Sequence, residues 1–395
     1  MLDWDRLISD RAKGLDASGI RRVFELGATM EDPINLSIGQ PDFPVPEAIR
    51  RGAVEAIEGG KNGYAMTTGV ESLRRRCAEH LAFDVGWEGL MERGGDAGVA
   101  ITSGTSAALF LMNMALLDEP GDEIVIPDPY FVAYEPMARF AGGRAVRCET
   151  YPDFRMTAER IEPLITERTK AVLINSPGNP TGVVLTQREC VEILELCRSR
   201  GVLLVSDEIY DEFTFADAKE EFGNGKRCPS PCRESGSERD VLLIRGFGKT
   251  YGCTGWRLGY IAGPSEVVGQ MSKLSQYSYV CTPTPLQYGV EAAFGVDMGP
   301  VISEYEARRE VVMGALEGVA RVARPGGAFY AFVEVPSGLG MTGREVFERC
   351  AERDVLLIPG GVFSSLDTHV RVSMAASREK LSAGLGVLAD VLRGG

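Results

Sequence analysis

One lysine, Lys249, stands where a reactive amine could do chemistry. It follows the apolar run at residues 241–244, and two glycines, Gly246 and Gly248, precede it. The run is typical of a buried strand, and the glycines let the chain turn and raise the lysine at the strand's end. An amine partly removed from water there has a lowered pKa and can form a Schiff base with a carbonyl. Because most lysines are surface residues, this interpretation depends on the neighbouring motifs.

A second motif, Ser103, Gly104, Thr105 and Ser106, lies between a predicted strand and a predicted helix. Free backbone N–H groups, hydroxyls and the positive end of a helix dipole can together hold a phosphate. Serine and threonine also cap helices that bind nothing, so the motif alone leaves both interpretations open.

Two more strand ends carry polar side chains. In the segment at residues 175–182, prolines and glycines fix the backbone so that Asn179 can point its amide into a cleft. Asp207 follows another apolar strand, where a carboxylate is costly to bury unless it meets a cation or a strong donor. A protonated ring nitrogen is such a partner, and capping of a helix is the alternative for Asp207.

The pattern of strand, turn and helix would bring these motifs together. Several strands are apolar throughout, which is typical of strands covered on both faces. The alternation predicts an α/β fold with a doubly wound, mostly parallel sheet, whose ligands bind beyond the carboxyl ends of the strands. The strands of this sheet are predicted at residues 99–102, 123–126, 145–148, 171–175, 202–206, 241–244 and 260–262.

The 395 residues exceed a typical single domain. We expect an N-terminal arm at residues 1–45, a large domain at 46–290 and a small C-terminal domain at 291–395. The other elements predicted are an extended segment at 35–44, a solvated excursion at 216–240, a helix at 301–322, strands at 328–335, 355–357 and 370–374, and a closing helix at 379–392.

Composition excludes several classes of partner. A net charge of -14 argues against nucleic acid and anionic membrane surfaces, which both require basic patches. No apolar segment is long enough to span a bilayer, and the start of the chain does not resemble a secretory signal, so a cytoplasmic location is expected.

Cysteine and histidine usage argues against a metal site or a disulfide framework. The nine cysteines are odd in number and scattered, so reduced thiols are expected. Only Cys228 and Cys232 lie close together, and the two histidines, His80 and His369, are too few to complete a metal site beside them. The shortage of histidines also disfavours a conventional hydrolase triad.

The motifs occur in an order and spacing that resemble a known family, the class I and II aminotransferases of the fold-type I pyridoxal-phosphate enzymes. The resemblance extends from about Ser18 to Ser377 and is carried by residues 179–182, 207–210 and Lys249 with residues 254–257. It implies a large domain with a mostly parallel seven-stranded sheet and a smaller α/β domain built from the arm and the C-terminal third.

The resemblance implies a role for each motif around the cofactor, pyridoxal 5'-phosphate. Lys249 would form a Schiff base with the cofactor and then move the proton between the substrate Cα and the cofactor. Asp207 would pair with the pyridine N–H and keep the ring cationic. Asn179 and Tyr210 would hydrogen-bond the phenolic oxygen, and Phe131 would stack on the ring, although ordinary core packing is commoner for a phenylalanine.

Phosphate and substrate contacts follow from the same resemblance. The phosphate would be held by Gly104, Thr105, Ser106 and Arg257, with Tyr64 reaching it from the partner subunit of a homodimer.

The substrate α-carboxylate would bind Arg371 through a two-pronged pair, with a backbone contact from Gly39. Two positions depart from the family pattern. Gly246 and Gly248 stand where serines are common, so one phosphate hydroxyl is missing. Ser106 stands where some aspartate-specific members carry a lysine, which weakens the case for a dicarboxylate as the preferred donor.

The function implied is a homodimeric aminotransferase that moves the amino group of an L-amino acid to a 2-oxo acid, plausibly 2-oxoglutarate, by a ping-pong mechanism. A pyridoxal-phosphate-dependent C–S β-lyase of the same fold shares every cofactor contact and stays open as an alternative. A binding protein that senses the cofactor without turnover is the third reading, but the short arm and acidic charge do not suit a DNA-binding regulator.

Overall fold

The structure is a computed structural model that describes residues 2–14, 19–223 and 225–395. Met1, residues 15–18 and Asn224 lie outside the described residues, and so does Ser18, where the resemblance was placed to begin.

The helices begin and end as follows. They are α1 (Trp4–Leu7), α2 (Asp10–Lys13), α3 (Gly19–Gly27), α4 (Glu47–Glu58), α5 (Glu71–Val85), α6 (Thr105–Leu116), α7 (Tyr134–Phe140), α8 (Ala158–Ile161), α9 (Gln187–Arg200), α10 (Phe247–Thr250), α11 (Ser265–Ser278), α12 (Thr284–Val290), α13 (Gly299–Leu316), α14 (Gly343–Ala351) and α15 (Arg378–Leu392).

The strands interleave with these helices. They are β1 (Ile34–Asn35), β2 (Ala97–Thr102), β3 (Glu123–Asp128), β4 (Arg144–Glu149), β5 (Thr169–Asn175), β6 (Leu203–Asp207), β7 (Glu220–Phe222), β8 (Gly225–Arg227), β9 (Val241–Gly246), β10 (Gly259–Pro264), β11 (Tyr330–Glu334), β12 (Val355–Leu356), β13 (Ile358–Pro359) and β14 (His369–Ser373).

A seven-stranded sheet forms the centre of the molecule, in the order β2-β10-β9-β6-β5-β3-β4. Only β10 runs antiparallel to its neighbours, so the prediction of a mostly parallel seven-stranded sheet is confirmed. The carboxyl ends of the other six strands meet at one edge. That edge carries the turns after β2, β5, β6 and β9, where the sequence motifs lie.

Both faces of the sheet are covered, which explains the uninterrupted apolar strands. Along β9, Val241 and Leu243 pack into one core cluster, and Leu242 and Ile244 pack into another on the opposite face. All four side chains are fully buried. A parallel strand that is buried on both faces cannot tolerate the alternation of polar residues seen in half-exposed strands.

Local sequence signals fix the helices that flank the sheet. Thr186 caps the N-terminus of α9: its side chain accepts from the Glu189 backbone while the Glu189 carboxylate bonds back to Thr186. Gly201, with a φ of 65°, caps the C-terminus. The cap satisfies N–H groups left without partners in the first turn, and glycine adopts the left-handed conformation without a Cβ clash.

The N-terminal arm joins the C-terminal third of the chain. Strand β1 pairs in parallel with β12, Ile34 lying opposite Val355. The Ser373 backbone N–H donates to the Leu36 carbonyl at 2.8 Å. These contacts position the segment that follows β1 beside the carboxyl edge of the large sheet. The boundaries expected for three regions stay a prediction.

Two predicted elements differ from the structure. The helix expected at 301–322 ends earlier, because α13 stops at Leu316 and Gly318 adopts a left-handed φ of 68°. The excursion at 216–240 was expected to be solvated throughout, and this was wrong for residues 228–232. There Cys228, Ser230 and Cys232 are buried, and the Ser230 hydroxyl donates to Glu208 at 2.6 Å.

Among the described residues, no helix combines the length and apolar character needed to cross a membrane.

A buried arginine, Arg245, ties β9 to its surroundings. Its guanidinium contacts Glu208 at 2.8 Å, Asp84 at 2.8 Å and Asp211 at 3.3 Å. Burial alone would raise the pKa of Asp84, but Arg245 and Arg233 outweigh burial and hold that pKa well below its ordinary value. Because Glu208 follows Asp207 directly, this ion cluster fixes the end of β6 against the end of β9.

We expect the substitution Arg245→Met to lower the free energy of unfolding by about 3–5 kcal/mol, because it leaves buried carboxylates without a counter-charge. Urea denaturation followed by circular dichroism measures the change. The matched control is Arg188→Met, since Arg188 is exposed and pairs with Glu192 on the same helix at 2.7 Å. A loss in the Arg245 variant no larger than that of the control would contradict the structural role of the cluster.

Candidate active site

A cavity of about 350 Å³ opens at the carboxyl edge of the large sheet. All but one of the site residues predicted from the sequence line it, the exception being Tyr64. The predicted residues in its wall are Gly39, Gly104, Thr105, Ser106, Phe131, Asn179, Asp207, Tyr210, Lys249, Arg257 and Arg371.

Lys249 lies one turn beyond the end of β9, on the short helix α10. Its side chain is partly buried, and its amine donates to the Gly39 carbonyl of the arm. Burial lowers the pKa of Lys249 to about 8, with further lowering by the positive charges of Arg371 and Arg257. At pH 7 roughly a tenth of an amine with this pKa is unprotonated, far more than for an ordinary lysine.

Asp207 is the last residue of β6 and is almost fully buried. The Tyr134 hydroxyl donates to its Oδ2 at 2.7 Å, and the Ile209 backbone N–H donates to its Oδ1 at 3.3 Å. Burial raises the pKa of Asp207 to about 6, although both hydrogen bonds oppose that rise. No described cation forms an ion pair with this carboxylate, so it remains available to a cationic group inside the cavity.

Arg371 is buried in β14, contrary to the usual surface position of an arginine in a strand. Its Nη1 donates to Asn179 Oδ1 at 3.0 Å and its Nη2 donates to the Ser37 carbonyl at 2.8 Å. Its guanidinium also stacks on the rings of Tyr330 and Phe363, at 4.4 and 4.8 Å from their centroids.

The charge of Arg371 is not matched by a carboxylate. Its Nε is buried without a hydrogen-bond partner, and no acidic residue in the described part of the chain lies within ion-pair distance. A buried guanidinium with a free donor suits an anionic ligand, since burying it unpaired is costly.

The remaining predicted ring contacts also face the cavity. The hydroxyl of Tyr210 lies 3.2 Å from that of Tyr330, and either can donate. Phe131 is partly buried and packs edge-on against Tyr134 at 5.6 Å between ring centroids. Asn179 is held in place because its backbone N–H donates to Asn175 Oδ1 at 2.9 Å.

The predicted phosphate motif forms the first turn of α6. Gly104 has a φ of 78°, and a Cβ there would lie 2.7 Å from Arg257 Nη2, so only glycine allows the guanidinium this close to the helix N-terminus. Arg257 itself has a left-handed φ of 54° and donates to the Thr254 carbonyl at 2.8 Å. A cation, hydroxyls and free N–H groups together make a site that can hold a phosphate.

Packing explains the two glycines that replace serines. A Cβ on Gly246 would lie 2.7 Å from Ile209 Cδ1 and 3.0 Å from Thr105 Cγ2. A Cβ on Gly248 would lie 3.3 Å from Thr254 Cα. The threonine at 105 therefore occupies space that a side chain at 246 would need, and it brings its own hydroxyl to the phosphate motif.

Tyr64 does not line the cavity, and 89% of its surface is exposed in the single chain. It lies in the loop after α4, where the Gly63 carbonyl accepts from the Thr284 hydroxyl at 2.7 Å. Within one chain, Tyr64 therefore has no contact with the other predicted site residues.

Sequence reasoning missed several residues of the cavity wall. Tyr134 and Tyr330 carried no motif, and their importance lies in contacts with residues distant in the chain. Asn175 stood at the start of a motif that was singled out only for Asn179. Ile20 and Phe24 reach the cavity from α3, whose amphipathic spacing could have signalled a buried face but not which cavity it covers.

The residues present fit pyridoxal phosphate. A partly neutral amine, a buried carboxylate and a phosphate-holding helix end line one cavity, and a Cβ at Gly104 would fill the space beside Arg257. Together these groups can hold a ring with one anionic end and one cationic nitrogen, next to a separate site for a carboxylate at Arg371.

Comparison with known proteins agrees with this fit. The family model described as aminotransferase class I and II matches residues 31–388. The putative aminotransferase YugH of Bacillus subtilis is 35% identical, over 96% of this chain and 96% of its own. The aspartate aminotransferase of Pyrococcus abyssi is 33% identical over 98% of both chains. A solved structure of aspartate aminotransferase from Thermus thermophilus with maleate superposes with a TM-score of 0.87 at 33% identity, covering 97% of this chain and 99% of that one.

The Tyr134→Phe substitution should raise the pKa of Asp207 further above about 6 in the cofactor-free protein, because one of the two hydrogen bonds that stabilise the carboxylate is lost. Carbon-13 NMR of labelled aspartate carboxyls, followed against pH, measures this shift. Tyr210→Phe is the control, because that hydroxyl bonds Tyr330 and makes no hydrogen bond to Asp207. An unchanged Asp207 titration in the Tyr134 variant would show that the contact does not stabilise the charged form.

Proposed function

This chain belongs to the class I and II aminotransferases, and from that premise we propose that it transfers the amino group of an L-amino acid to a 2-oxo acid, 2-oxoglutarate in particular, in two half-reactions at one site. The enzyme is a pyridoxal-phosphate-dependent aminotransferase. The observation that carries the proposal is Arg371, a buried guanidinium with a free Nε and no described carboxylate partner, in the same cavity as Lys249.

Substrate binding would begin at Arg371. A guanidinium carries five N–H donors, and the hydrogen bonds to Asn179 and to the Ser37 carbonyl use two of them. Donors therefore remain for a two-pronged pair with a carboxylate. Tyr330 stacks on the guanidinium and limits its movement. An α-carboxylate bound there fixes one end of both the amino acid and the oxo acid, so both half-reactions use the same contact.

Proton transfer would fall to Lys249. Pyridoxal phosphate, when bound, supplies an aldehyde for the amino group and a ring that withdraws electrons from the substrate Cα. The Lys249 amine has its pKa lowered to about 8, so it can accept the proton from the substrate Cα. It can then donate that proton to the cofactor, which completes the transfer.

Asp207 and its neighbours would control the ring. A carboxylate buried at the end of β6 favours a protonated ring nitrogen, and Tyr134 orients that carboxylate. We assign contacts with the phenolic oxygen to Asn179 and Tyr210, and stacking on the ring to Phe131.

The phosphate would be held where α6 begins. We assign this group to Gly104, Thr105, Ser106 and Arg257, with Tyr64 supplied by the partner subunit. Thr105 offers a hydroxyl to the phosphate motif, and Gly246 and Gly248 offer none.

A homodimer is proposed because large apolar side chains are exposed in the loop that contains Tyr64 and in a second segment. Large side chains with high exposure occur in the loop of Tyr64 and Met66 and in the segment of Tyr277, Tyr279 and Val280. Such surface is uncommon on a monomer and is typical of a protein interface. The cytoplasmic location expected from the sequence stays a prediction.

Reduction of the cofactor-loaded protein with borohydride should attach pyridoxal phosphate covalently to Lys249, because the lowered pKa makes this amine the one that condenses with the aldehyde. Peptide mass spectrometry locates the label, and Lys273→Ala, which alters an exposed lysine, is the control. Addition of an L-amino acid before reduction should shift the absorbance and remove the label. Release of pyruvate and ammonia without an acceptor would instead indicate a β-lyase.

Sedimentation should give the mass of two chains. The Tyr64→Phe variant should remain dimeric and raise the Kd for pyridoxal phosphate about tenfold, the scale of one lost hydrogen bond to a charged group. Tyr277→Phe is the control, since this side chain is equally exposed in the single chain. Unchanged cofactor affinity in the Tyr64 variant, or a monomer with full activity, would contradict the shared site.

A further inference from the structure

Two fixed points determine where a substrate side chain must go. If the α-carboxylate binds Arg371 and the amino group lies near Lys249, the side chain has to project into the rest of the cavity. That remainder is bounded by the arm, which passes from Ser37, bonded to Arg371, to Gly39, bonded to Lys249. The side of the cavity formed by the arm and by α3 therefore selects the substrate side chain.

This side of the cavity is apolar. Ile20 and Phe24 lie four residues apart on α3, so they share one face of the helix, and Ile38 of the arm joins them in the cavity wall. Phe24 keeps 44% of its surface exposed, a large apolar area at the cavity mouth that a substrate can cover.

Among the described residues of one chain, the same wall has no charge for a second carboxylate. The charged residues lining the cavity, among those described, are Asp207, Lys249, Arg257 and Arg371, and each already has a role at the ring, the phosphate or the α-carboxylate. Gln40, the polar residue on the arm side, is neutral. A distal carboxylate pressed against Ile20 and Phe24 would lose water without gaining a cation.

The apolar wall is anchored to the carboxylate site. Val23, between Ile20 and Phe24, is buried in a cluster that includes Phe332 and Phe363. Phe363 stacks on the Arg371 guanidinium at 4.8 Å. The α3 face and the carboxylate site therefore share packing, so the distance between them is fixed by a common core.

From this arrangement we infer that the preferred amino donors carry large apolar side chains, aromatic ones above all, and that Ile20 and Phe24 select them. The inference rests on the proposed function and names its substrate class. The names of the relatives do not determine the substrate class of this chain, because an aspartate aminotransferase and an aromatic-amino-acid aminotransferase match it almost equally, at 33% and 32% identity. Because both half-reactions use one site, apolar 2-oxo acids are also expected to react faster than the dicarboxylic ones, oxaloacetate and 2-oxoglutarate alike. The inference therefore replaces 2-oxoglutarate as the preferred acceptor and keeps the amino transfer itself.

The test is a half-reaction on the purified holoenzyme, with phenylalanine, tyrosine, leucine, aspartate and alanine as donors and the change in cofactor absorbance as the readout. The kcat/KM for phenylalanine should exceed that for aspartate at least about tenfold. The phenylalanine ring covers the apolar wall, whereas the aspartate carboxylate would be buried there without a cation. Faster reaction of aspartate than of phenylalanine and leucine would overturn the inference while leaving the proposed function intact. If no amino acid converts the cofactor, both the inference and the proposed function are wrong.

Substitutions on α3 test whether this helix determines the preference for apolar amino donors. Phe24→Ala should lower kcat/KM for phenylalanine about tenfold, the scale of one aromatic contact, so that the ratio of kcat/KM for phenylalanine to that for alanine falls. Phe24→Arg should raise kcat/KM for aspartate and lower that for phenylalanine. The matched control is Leu26→Ala, because Leu26 is on the same helix and 39% exposed but lines a different groove. Equal effects of the Phe24 and Leu26 substitutions on phenylalanine and aspartate would overturn the assignment.

Discussion

Two buried charges of opposite sign, Asp207 and Arg371, face one cavity, and neither has an ionic partner among the described residues. Burial of an unpaired charge is costly, so a fold that keeps two of them must stabilise both by other means. Hydrogen bonds from Tyr134 and the Ile209 backbone N–H hold the carboxylate. Carbonyl oxygens and aromatic rings hold the guanidinium. A ligand with a cationic ring nitrogen, or one with a carboxylate, recovers part of that cost when it binds.

The contrast with Arg245 shows how the protein separates structure from chemistry. Arg245 is as deeply buried as Arg371, but Glu208, Asp84 and Asp211 surround it. Since Glu208 and Asp207 are consecutive, their side chains point to opposite sides of the strand end. One carboxylate closes an ion cluster behind the sheet, and the next faces the cavity. The ion cluster around Arg245 therefore helps to hold Asp207, which has no ionic partner among the described residues, in position.

The sequence predicted the large sheet and most of the cavity wall because those signals are local. The buried strands are continuous apolar runs, and recognisable motifs follow them: Asp207 ends β6, and the turns after other strands carry Gly104, Asn179 and Lys249. Contacts between distant segments leave no such mark. Tyr134 matters because it meets a residue 73 positions away, which neither its type nor its spacing indicated.

Burial was also misjudged from composition in places. The segment at 228–232 contains two prolines, two cysteines and one serine, and it is buried, with the Ser230 hydroxyl bonded to Glu208. A polar loop can be buried when its hydroxyls form hydrogen bonds with a buried charged group, so polarity alone does not predict exposure. The apolar face of α3 could be expected from its spacing, but its place at the cavity depends on the pairing of β1 with β12.

The close approach of Thr105 to Gly246 has an evolutionary consequence. A Cβ at position 246 would lie 2.7 Å from Ile209 Cδ1 and 3.0 Å from Thr105 Cγ2, so a serine there requires these groups to shift. The effects of substitutions at 246, 105 and 209 are therefore expected not to be additive, since residues in contact share the same space. A lineage that gains a hydroxyl at 246 draws the room for it from the side chains at 105 and 209.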